Sequence, residues 1–458
     1  MMAGRSVLLM SAFVAVVAPA MASAAEATAP AVTAAGPAGA APAAGPSLAP
    51  APNASLEPTP TPAPALAPPA APTPEAPIPP ARPRSLAADV APLGIANPDV
   101  SLRIGLLLQP EYQLLGENTY SGQGQNLFVR RARIMLGGTM FGVVDYFFDA
   151  DYPNLFLGKA ASGSPTVKYT PAMNIQDAFL TYRPYRNLVM VDAGYFLPPM
   201  AHNTLQSAAT LFGWDFFAYS FQHDQAFGTQ SPITTAVGRD TGVQLRGLLA
   251  GGHVEYRVGM FQGLRNGKGT TSTGAQNNFR FTGRVQINFL DAEPEFFYAG
   301  TYLGAKRILS IGGSYDFQNS FSKDYLYFAA DAFADLPVGP GVVTAQLNFA
   351  HWNGHMFIPT VMVAGQPGIV LEEQTAVMGE AGFTFFAARL SPIVRVEHIE
   401  GPTLPPQNRY AGGIALWPFG HNFNLKVFYT RITQAQPPLS APVHDANQIN
   451  IQSQVYFF

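Results

Sequence analysis

Cysteine is absent from this sequence of 458 residues, and charged residues make up only 12% of it. Without cysteine the chain has no disulfide, no thiolate metal ligand and no lipid attached to a cysteine. The formal net charge of −3 and the few charged residues do not fit a nucleic-acid-binding protein, so nucleic acid is not expected as a partner. Lysine is scarce, with six residues: Lys159, Lys168, Lys268, Lys306, Lys323 and Lys426.

A long hydrophobic run is also missing. After residue 24 the sequence has no stretch of about 20 apolar residues, which argues against a transmembrane helix. Residues 1–24 contain one positive charge, Arg5, then an apolar stretch that ends at Ala22-Ser23-Ala24. This order predicts a secretory signal peptide that is cleaved after Ala24. A membrane-anchor helix is the alternative, but Pro19 interrupts the apolar stretch.

Residues 25–97 are predicted to be a disordered periplasmic linker. From Ala25 to Arg84, 18 of 60 residues are proline, and alanine is the other frequent residue. Proline fixes φ and has no amide hydrogen, so such a segment forms neither a helix nor a sheet ladder. The composition indicates an extended tether without chemistry of its own. Contact between this tether and the cell wall is an alternative that the composition leaves open.

Beyond residue 98 the dominant pattern is alternation of apolar and polar residues with period two, which is typical of β-strands. In Phe279–Phe289, for example, phenylalanine, valine and isoleucine alternate with arginine, threonine, glutamine and asparagine. Sixteen strand signals begin near residues 102, 127, 143, 174, 187, 238, 252, 277, 307, 324, 342, 374, 391, 409, 422 and 447.

The links between these strands alternate between long and short, as in outer-membrane barrels with long outer loops and tight periplasmic turns. Two links fit poorly, because Asp291–Lys306 is too long for a turn and Gln318–Lys323 is short for a loop. The chain ends on Phe458, and outer-membrane barrels commonly end on an aromatic residue. The predicted fold class is therefore all-β: a transmembrane antiparallel β-barrel of sixteen strands over residues 98–458, preceded by the disordered Ala/Pro-rich segment.

Three arginines lie in one predicted strand, Asn126–Met140. The inward face of a water-filled barrel is polar, so Arg131 and Arg133 are expected to point into the lumen. The alternating residues Ala132, Ile134 and Leu136 are then expected to face lipid. Arg130 has the opposite parity, which places it either at the level of the lipid headgroups or at a β-bulge.

Five segments, in this order, resemble the phosphate-selective porin O/P family of outer-membrane channels. They are FVRRARIMLGG from Phe128, NIQDAFLTYRP from Asn174, LVMVDAGYFLPP from Leu188, GRDTGVQLRG from Gly238 and YRVGMFQG from Tyr256. The resemblance is clearest between about Phe128 and Phe289. The positions that match the family signature are Arg131, Arg133, Asp177, Gly194, Pro199, Arg239 and Asp240.

The resemblance implies a homotrimeric, anion-selective channel whose pore is narrowed by the loop after the fifth strand. This sequence departs from the family within that loop, where the Glu-Arg pair is absent and Trp214-Asp215-Phe216-Phe217 occupies the region. With only six lysines in the chain, a phosphate site built from lysine is not expected. A channel for small anionic or polar solutes is the broader expectation.

The candidate pore-lining residues are Arg131, Arg133, Asp145, Asp149, Asp177, Arg246, Arg257, Arg280 and Arg284. Two interpretations are open for them. The arginines form a basic wall that selects anions, or they pair with acidic residues such as Asp145, Asp149, Asp177 and Glu255 and stiffen the barrel. Both interpretations can hold at different heights in the pore.

The link Leu197–Val237, at 41 residues, is the longest, and it is predicted to fold inward and form the constriction. Its aromatic residues Trp214, Phe216, Phe217, Tyr219 and Phe221 are expected to pack on the inner wall. The polar residues expected to face water are His202, Asp215, His223 and Asp224. An aromatic cluster exposed on the cell surface for a partner is the alternative.

The predicted function is passive diffusion of small solutes, with a preference for anions such as phosphate, across the outer membrane of a Gram-negative bacterium. A non-selective or other-solute porin is the alternative within the same class. A structural envelope anchor and a barrel-embedded hydrolase are alternatives from other classes. The eight histidines show neither metal-ligand spacing nor a catalytic motif, so no cofactor, metal or catalytic residue is predicted.

The linker assignment yields a first prediction. Deleting Ala25–Arg84 while keeping the signal peptide should leave the single-channel conductance of the inserted barrel unchanged, because the deleted segment builds no part of the barrel wall. Conductance in planar bilayers measures this. Loss of conduction from a deletion variant that still inserts into the bilayer would contradict the assignment.

Overall fold

The fold is known from a computed structural model of the chain. It describes residues 86, 93–116, 124–161, 164–168, 173–218, 239–263, 279–319, 324–363, 366–402, 406–435 and 444–458. Among these residues, no helix is long and apolar enough to cross a membrane. The predicted signal peptide and nearly all of the predicted linker lie outside the described residues, as do His223 and Asp224.

Nineteen β-strands account for most of the described residues. In chain order, β1 to β19 are Leu93–Ala96, Ser101–Leu115, Gln125–Met140, Val144–Asp151, Gly158–Ala161, Ser164–Lys168, Asn174–Tyr182, Met190–Phe196, Asp240–Leu249, Val254–Phe261, Arg280–Asn288, Ile308–Gln318, Tyr325–Val338, Gly341–Val363, Gln366–Phe385, Leu390–Glu400, Gln407–Phe419, Phe423–Ala435 and His444–Phe457. One short 3₁₀ turn, Ala250–Gly252, joins β9 to β10.

Sixteen of these strands form one closed antiparallel barrel. Each pairs with its neighbour along the chain, except that β4 pairs with β7 because β5 and β6 form a separate hairpin. The barrel closes where β19 pairs with β2, from Gln448 opposite Leu115 to Phe457 opposite Leu106. The structure confirms the predicted sixteen-stranded barrel, and fifteen of the sixteen predicted strand starts lie within three residues of the start of a barrel strand. The exception is β15, which begins at Gln366, eight residues before the predicted start near residue 374.

Strand pairing starts before residue 98, the predicted beginning of the folded domain. Strand β1 pairs antiparallel with Ser101–Ile104 of β2. This part of β2 extends beyond Leu106, the last residue that β19 reaches, so its edge is otherwise open on that side. Open strand edges leave backbone donors and acceptors unpaired. Four residues of the predicted linker therefore complete the sheet at the seam.

Leu86 is also ordered, although it lies within the predicted linker. Its amide nitrogen donates a hydrogen bond to the carbonyl oxygen of Leu303 at 3.0 Å. Its side chain is buried in a cluster that includes Trp417 and Phe428. The folded region thus includes at least one contact upstream of β1.

The two faces of the barrel wall differ in polarity. On β11, Phe281 and Val285 point outward and are 46% and 49% exposed, whereas Arg280, Thr282 and Arg284 point inward and are buried. On β19, Ile451 and Val455 point outward, whereas Gln452 and Gln454 are buried inside. An apolar exterior and a polar interior are the pattern of a barrel that sits in lipid.

Strand β3 explains how three arginines fit into one strand. Arg131 is buried inside, and Ile134 is exposed on the outer face. The register shifts between β2 and β3, because Gln109 lies opposite Arg131 whereas Pro110 lies opposite Val129. Arg130 is the additional residue of this β-bulge, the second of its two predicted positions. The bulge re-aims its side chain, which can then reach the lumen. Proline is tolerated at such a position because a bulge leaves ladder positions unpaired.

The seam of the barrel yields a second prediction. Phe458 packs edge-on against Phe147, with ring centroids 5.5 Å apart, and Tyr456 packs in the same inner cluster. Truncating Tyr456–Phe458 should reduce the folded fraction, because it removes these contacts and the last pairs between β19 and β2. The shift in gel mobility between unheated and boiled samples measures the folded fraction. Removal of the outward-facing Phe279 side chain by Phe279→Ala is the control, and it should leave folding largely intact.

Candidate functional site

An open cavity of about 1290 Å³ lies inside the barrel, along the inner faces of β2–β4 and β7–β9. Two chain segments cover its opposite side. One is residues 197–218, the described part of the predicted constriction, here called the inward loop. The other is residues 289–307, here called the inward link, which connects β11 to β12. The cavity is therefore bounded by one half of the wall and by these two segments.

The inward loop packs on the opposite half of the wall. Phe217 belongs to a buried cluster with Tyr327 of β13 and Trp352 of β14. Trp214 packs against Phe428 of β18, with ring centroids 4.9 Å apart. These contacts agree with the expectation that loop aromatic residues pack on the inner wall, whereas Tyr219 and Phe221 lie outside the described residues.

Polar groups of the wall hold the backbone of the inward loop. Lys426 Nζ donates to the carbonyl oxygens of Leu211 and Gly213, both at 2.7 Å. Arg395 Nη1 donates to the carbonyl oxygen of Phe216 at 3.2 Å. A loop inside a barrel must have its backbone groups satisfied, because unsatisfied buried groups are costly. These cationic side chains supply part of that satisfaction.

Sequence reasoning did not predict that the inward link enters the lumen. Its only signal was length, since Asp291–Lys306 is too long for a turn. The link pairs with the inward loop: Tyr298 N donates to Leu205 O at 3.0 Å, and Ser207 N donates to Tyr298 O at 2.9 Å. At Gly300 an added Cβ would lie 2.7 Å from the amide nitrogen of Phe212, so this close approach requires glycine.

His202 joins the loop to the link. The sequence predicts that it faces water, but the structure buries it completely. Its ring stacks between Tyr298 and Phe333, with centroid distances of 4.5 and 4.3 Å, and its Nε2 lies 3.2 Å from Glu293. Burial raises the pKa of Glu293, but the His202 imidazole and hydrogen bonds outweigh this effect and hold that pKa below its ordinary value.

Asp215 fixes the tip of the inward loop to β3. Its carboxylate accepts from Arg130 Nε at 2.9 Å and also pairs with Arg131, and its side chain is 21% exposed. Burial raises the pKa of Asp215, but the two guanidinium groups outweigh it and hold this pKa well below its ordinary range. The loop therefore neutralises one of the two positive charges that the β3 bulge brings inward.

Six of the predicted pore-lining residues border the cavity, and all six are ion-paired. Arg133 binds Asp149 and Asp151, each at 3.0 Å. The further pairs are Arg131–Asp215, Arg183–Asp145, Arg239–Asp177 and Arg246–Asp192. These side chains border the cavity and are paired with acidic residues, as the second of the two interpretations predicts, whereas selection of anions by them stays a prediction.

Three predicted residues lie away from the cavity. Arg257 binds Glu255 and donates to the carbonyl oxygen of Phe296, beneath the inward link. Arg284 binds Asp331 and donates to the carbonyl oxygen of Met200, beneath the inward loop. Arg280 pairs with Asp240 and Asp316 and is buried. The alternation with period two predicted that these three side chains point inward. The segments that cover them and the carboxylates that pair with them include residues far away in sequence, so the sequence did not predict those contacts.

The positions that match the family signature have identifiable structural roles. Asp177 accepts from Arg239 across the wall at 3.1 Å, and Asp240 accepts from the backbone amide of Gly263 at 2.9 Å. Gly194 has φ of 141°, a conformation that favours glycine. In the part of the chain that the structure describes, no group of three or more acidic or histidine side chains is arranged to hold a metal ion.

No protein-family model matches this chain, and a comparison with curated proteins finds no match. Solved structures do match. OmpF of Salmonella typhi, in a complex with daunomycin, has a TM-score of 0.52 and 13% identity, covering 80% of this chain and 100% of that chain. At this identity the match shows a shared barrel fold.

Two other matches are weaker. An anion-selective porin from Comamonas acidovorans has a TM-score of 0.48 and 10% identity, covering 78% of this chain and 100% of that chain. The outer membrane channel DcaP of Acinetobacter baumannii has a TM-score of 0.48 and 12% identity, covering 79% of this chain and 99% of that chain.

The Asp215 contact yields a third prediction. Asp215→Asn should reduce the free energy that holds the inward loop against β3 by roughly 1.5–3 kcal/mol, the range for hydrogen bonds to charged groups. The expected result is a larger and noisier single-channel conductance. Asp291→Asn is the matched control, because the pair of Asp291 with Arg307 is exposed and does not border the cavity. Equal traces from both variants would show that this contact does not hold the loop.

The pKa of Asp215 yields a fourth prediction. A depressed carboxyl pKa stabilises the folded contact at pH values above the ordinary value, and this stabilisation is lost only as the pH falls through the depressed value. The difference in single-channel conductance between Asp215→Asn and the wild type should therefore stay constant from about pH 7 down to about pH 4, close to the ordinary pKa of aspartate. Recordings of both proteins in symmetrical salt at stepped pH measure this, and a loss of the difference between about pH 6 and pH 5 would contradict it.

Proposed function

We propose that this protein is a porin, a channel for passive diffusion of small polar solutes across the outer membrane of a Gram-negative bacterium. The observation that carries the proposal is an open cavity, bordered by ion-paired arginine and aspartate side chains, inside a closed barrel whose outer face is apolar. A closed barrel satisfies its backbone hydrogen bonds without an edge, so it is stable in lipid. The shared fold with OmpF supports this proposal.

The extent of the cavity supports a path through the barrel. Along β3 (Gln125–Met140) the residues that border it run from Arg130 to Thr139. These ten positions match the roughly 9–11 residues with which a tilted barrel strand crosses the hydrocarbon core of a bilayer. Solutes that cross would pass between this strand and the inward loop.

The charges around the cavity support a weak preference for anions. Arg130 and Arg131 share the single carboxylate of Asp215, which leaves one positive charge in excess, whereas Arg133 has two carboxylates. Arg103 also borders the cavity. Among the described residues it has no carboxylate within ion-pairing distance, so it adds a second positive charge. The sum of these groups is a small positive excess.

Phosphate specificity receives little support from these residues. Lys306 is the one lysine of the described residues that borders the cavity, and it pairs with Glu295 at 2.8 Å. Small anions in general are therefore the proposed solutes. By family resemblance the functional unit is a homotrimer, and the Ala/Pro-rich segment that precedes the barrel is a periplasmic tether.

Reversal potential in a potassium chloride gradient tests this function. One uncompensated charge about 8 Å from a permeating ion contributes roughly 0.5 kcal/mol in water. The same charge stabilises chloride and destabilises potassium, so the two ions differ by roughly 1 kcal/mol, and chloride should be preferred over potassium by about fivefold. Arg130→Gln removes the shared positive charge and should reduce this preference, whereas Arg307→Gln, which lies away from the cavity, should not. A purified, folded barrel that conducts no ions would overturn the proposed function.

A further inference from the structure

Five phenylalanine rings form a continuous cluster inside the barrel, here called the aromatic patch. Phe147 lies 5.8 Å from Phe179 and 5.9 Å from Phe297, measured between ring centroids. Phe296 lies 4.5 Å from Phe179 and 4.8 Å from Phe297, which closes a circuit of four rings. Phe458 joins the patch through Phe147 at 5.5 Å. All five rings border the cavity.

The position of this patch is unusual for a water-filled channel. Phe147 and Phe179 occupy inward positions on β4 and β7, where a porin ordinarily carries polar side chains. Packing beneath the inward link does not cover the patch fully, because Phe147, Phe296, Phe297 and Phe458 all remain partly exposed. Apolar surface that stays open inside a protein commonly marks a binding site.

A cationic group stands at the rim of the patch. The guanidinium carbon of Arg103 lies 4.8 Å from the centroid of the Phe458 ring. Arg103 is solvent-exposed and borders the cavity. Among the residues that the structure describes, no carboxylate pairs with it, in contrast to the arginines of β3 and β9. Its guanidinium donors are therefore open to an anion that enters the cavity.

We propose that Arg103 and the aromatic patch form a binding subsite for monocyclic aromatic carboxylates. The ring of the solute stacks or packs edge-on against Phe147 and Phe458, as aromatic pairs prefer. Its carboxylate accepts hydrogen bonds from Arg103, whose planar fork matches carboxylate geometry. This inference rests on the proposed channel function, and it specifies the class of solute that the channel retains longest.

The charge of Arg103 and the apolar surface of the patch together favour an aromatic carboxylate over a small inorganic anion or an uncharged aromatic ring. A small inorganic anion would contact Arg103 but would leave the patch unused. An uncharged ring would contact the patch but would leave the guanidinium group without a partner. Only a solute with both features uses the whole subsite, and Arg103 lies directly against Phe458, so one small solute can contact both the guanidinium group and the aromatic patch.

Block of the chloride current by benzoate tests the proposal, with the full-length protein in planar bilayers and acetate as the comparison. Benzoate should reduce the current at a concentration about tenfold lower than acetate, since each tenfold step requires only about 1.4 kcal/mol of additional binding. Equal block by the two anions would overturn the proposal, because the patch would then contribute nothing.

Two variants separate the parts of the subsite. Arg103→Gln should weaken benzoate block by about tenfold and leave folding intact, because Arg103 is exposed. Phe147→Leu should weaken benzoate block by about fivefold and leave acetate block unchanged. Arg307→Gln is the matched control for the lost charge and should change neither. Unchanged benzoate block in Arg103→Gln would remove Arg103 from the subsite and overturn the proposal.

A second measurement separates this proposal from the proposed function. Calorimetric titration of benzoate into the detergent-solubilised protein reports binding without any requirement for conduction. Binding that is lost in Arg103→Gln would support the subsite even if no ion current were observed, and the proposed channel would then fail alone. A conducting channel with no benzoate binding would leave the channel intact and overturn the subsite.

Discussion

The guanidinium groups of Arg131, Arg246, Arg284 and Arg395 lie inside the barrel, each against a carboxylate. An apolar outer face forces charged side chains inward, and a buried charge without a partner is costly. The positions of these carboxylates therefore constrain where the arginine side chains and the inward loop can lie. Asp331, for example, binds Arg284 on the wall and also accepts from the backbone amide of His202 on the inward loop. The carboxylates that pair with these arginines thus also help to position the inward loop.

The lumen is divided into a half that the inward loop fills and a half that stays open. Several inward residues on β13–β18 are large and apolar, including Tyr327, Trp352 and Trp417. The apolar residues of the inward loop pack against them. On the other side, Arg133 and Asp177 of β3 and β7 make the wall polar. The inward link completes the partition, because Tyr298 and Gly300 pair through their backbone with the inward loop.

The sequence predicts the barrel well because its two determinants are local. Alternation with period two fixes which side chains point inward, so the parity of Arg131 and Arg133 follows from β3 alone. The lengths of the links between strands distinguish long loops from short turns along the chain. The partners of inward side chains are not local: Glu293, 91 residues away, binds His202, a polar loop residue that the sequence predicts to face water. For the same reason the direction of the inward link was unpredictable, although its excess length was visible.

The seam between β19 and β2 has a consequence for biogenesis. Gln109 and Gln454 are hydrogen-bonded across that seam although 345 positions separate them in the chain. Contacts between such distant positions require the entropy of a very large loop to be lost before they form, and this slows folding. Until the last strand has been delivered, β2 presents a free edge that is able to pair with other chains. A chain whose last strand is not yet in place therefore exposes an edge to other copies of itself, and closure of the seam removes that edge.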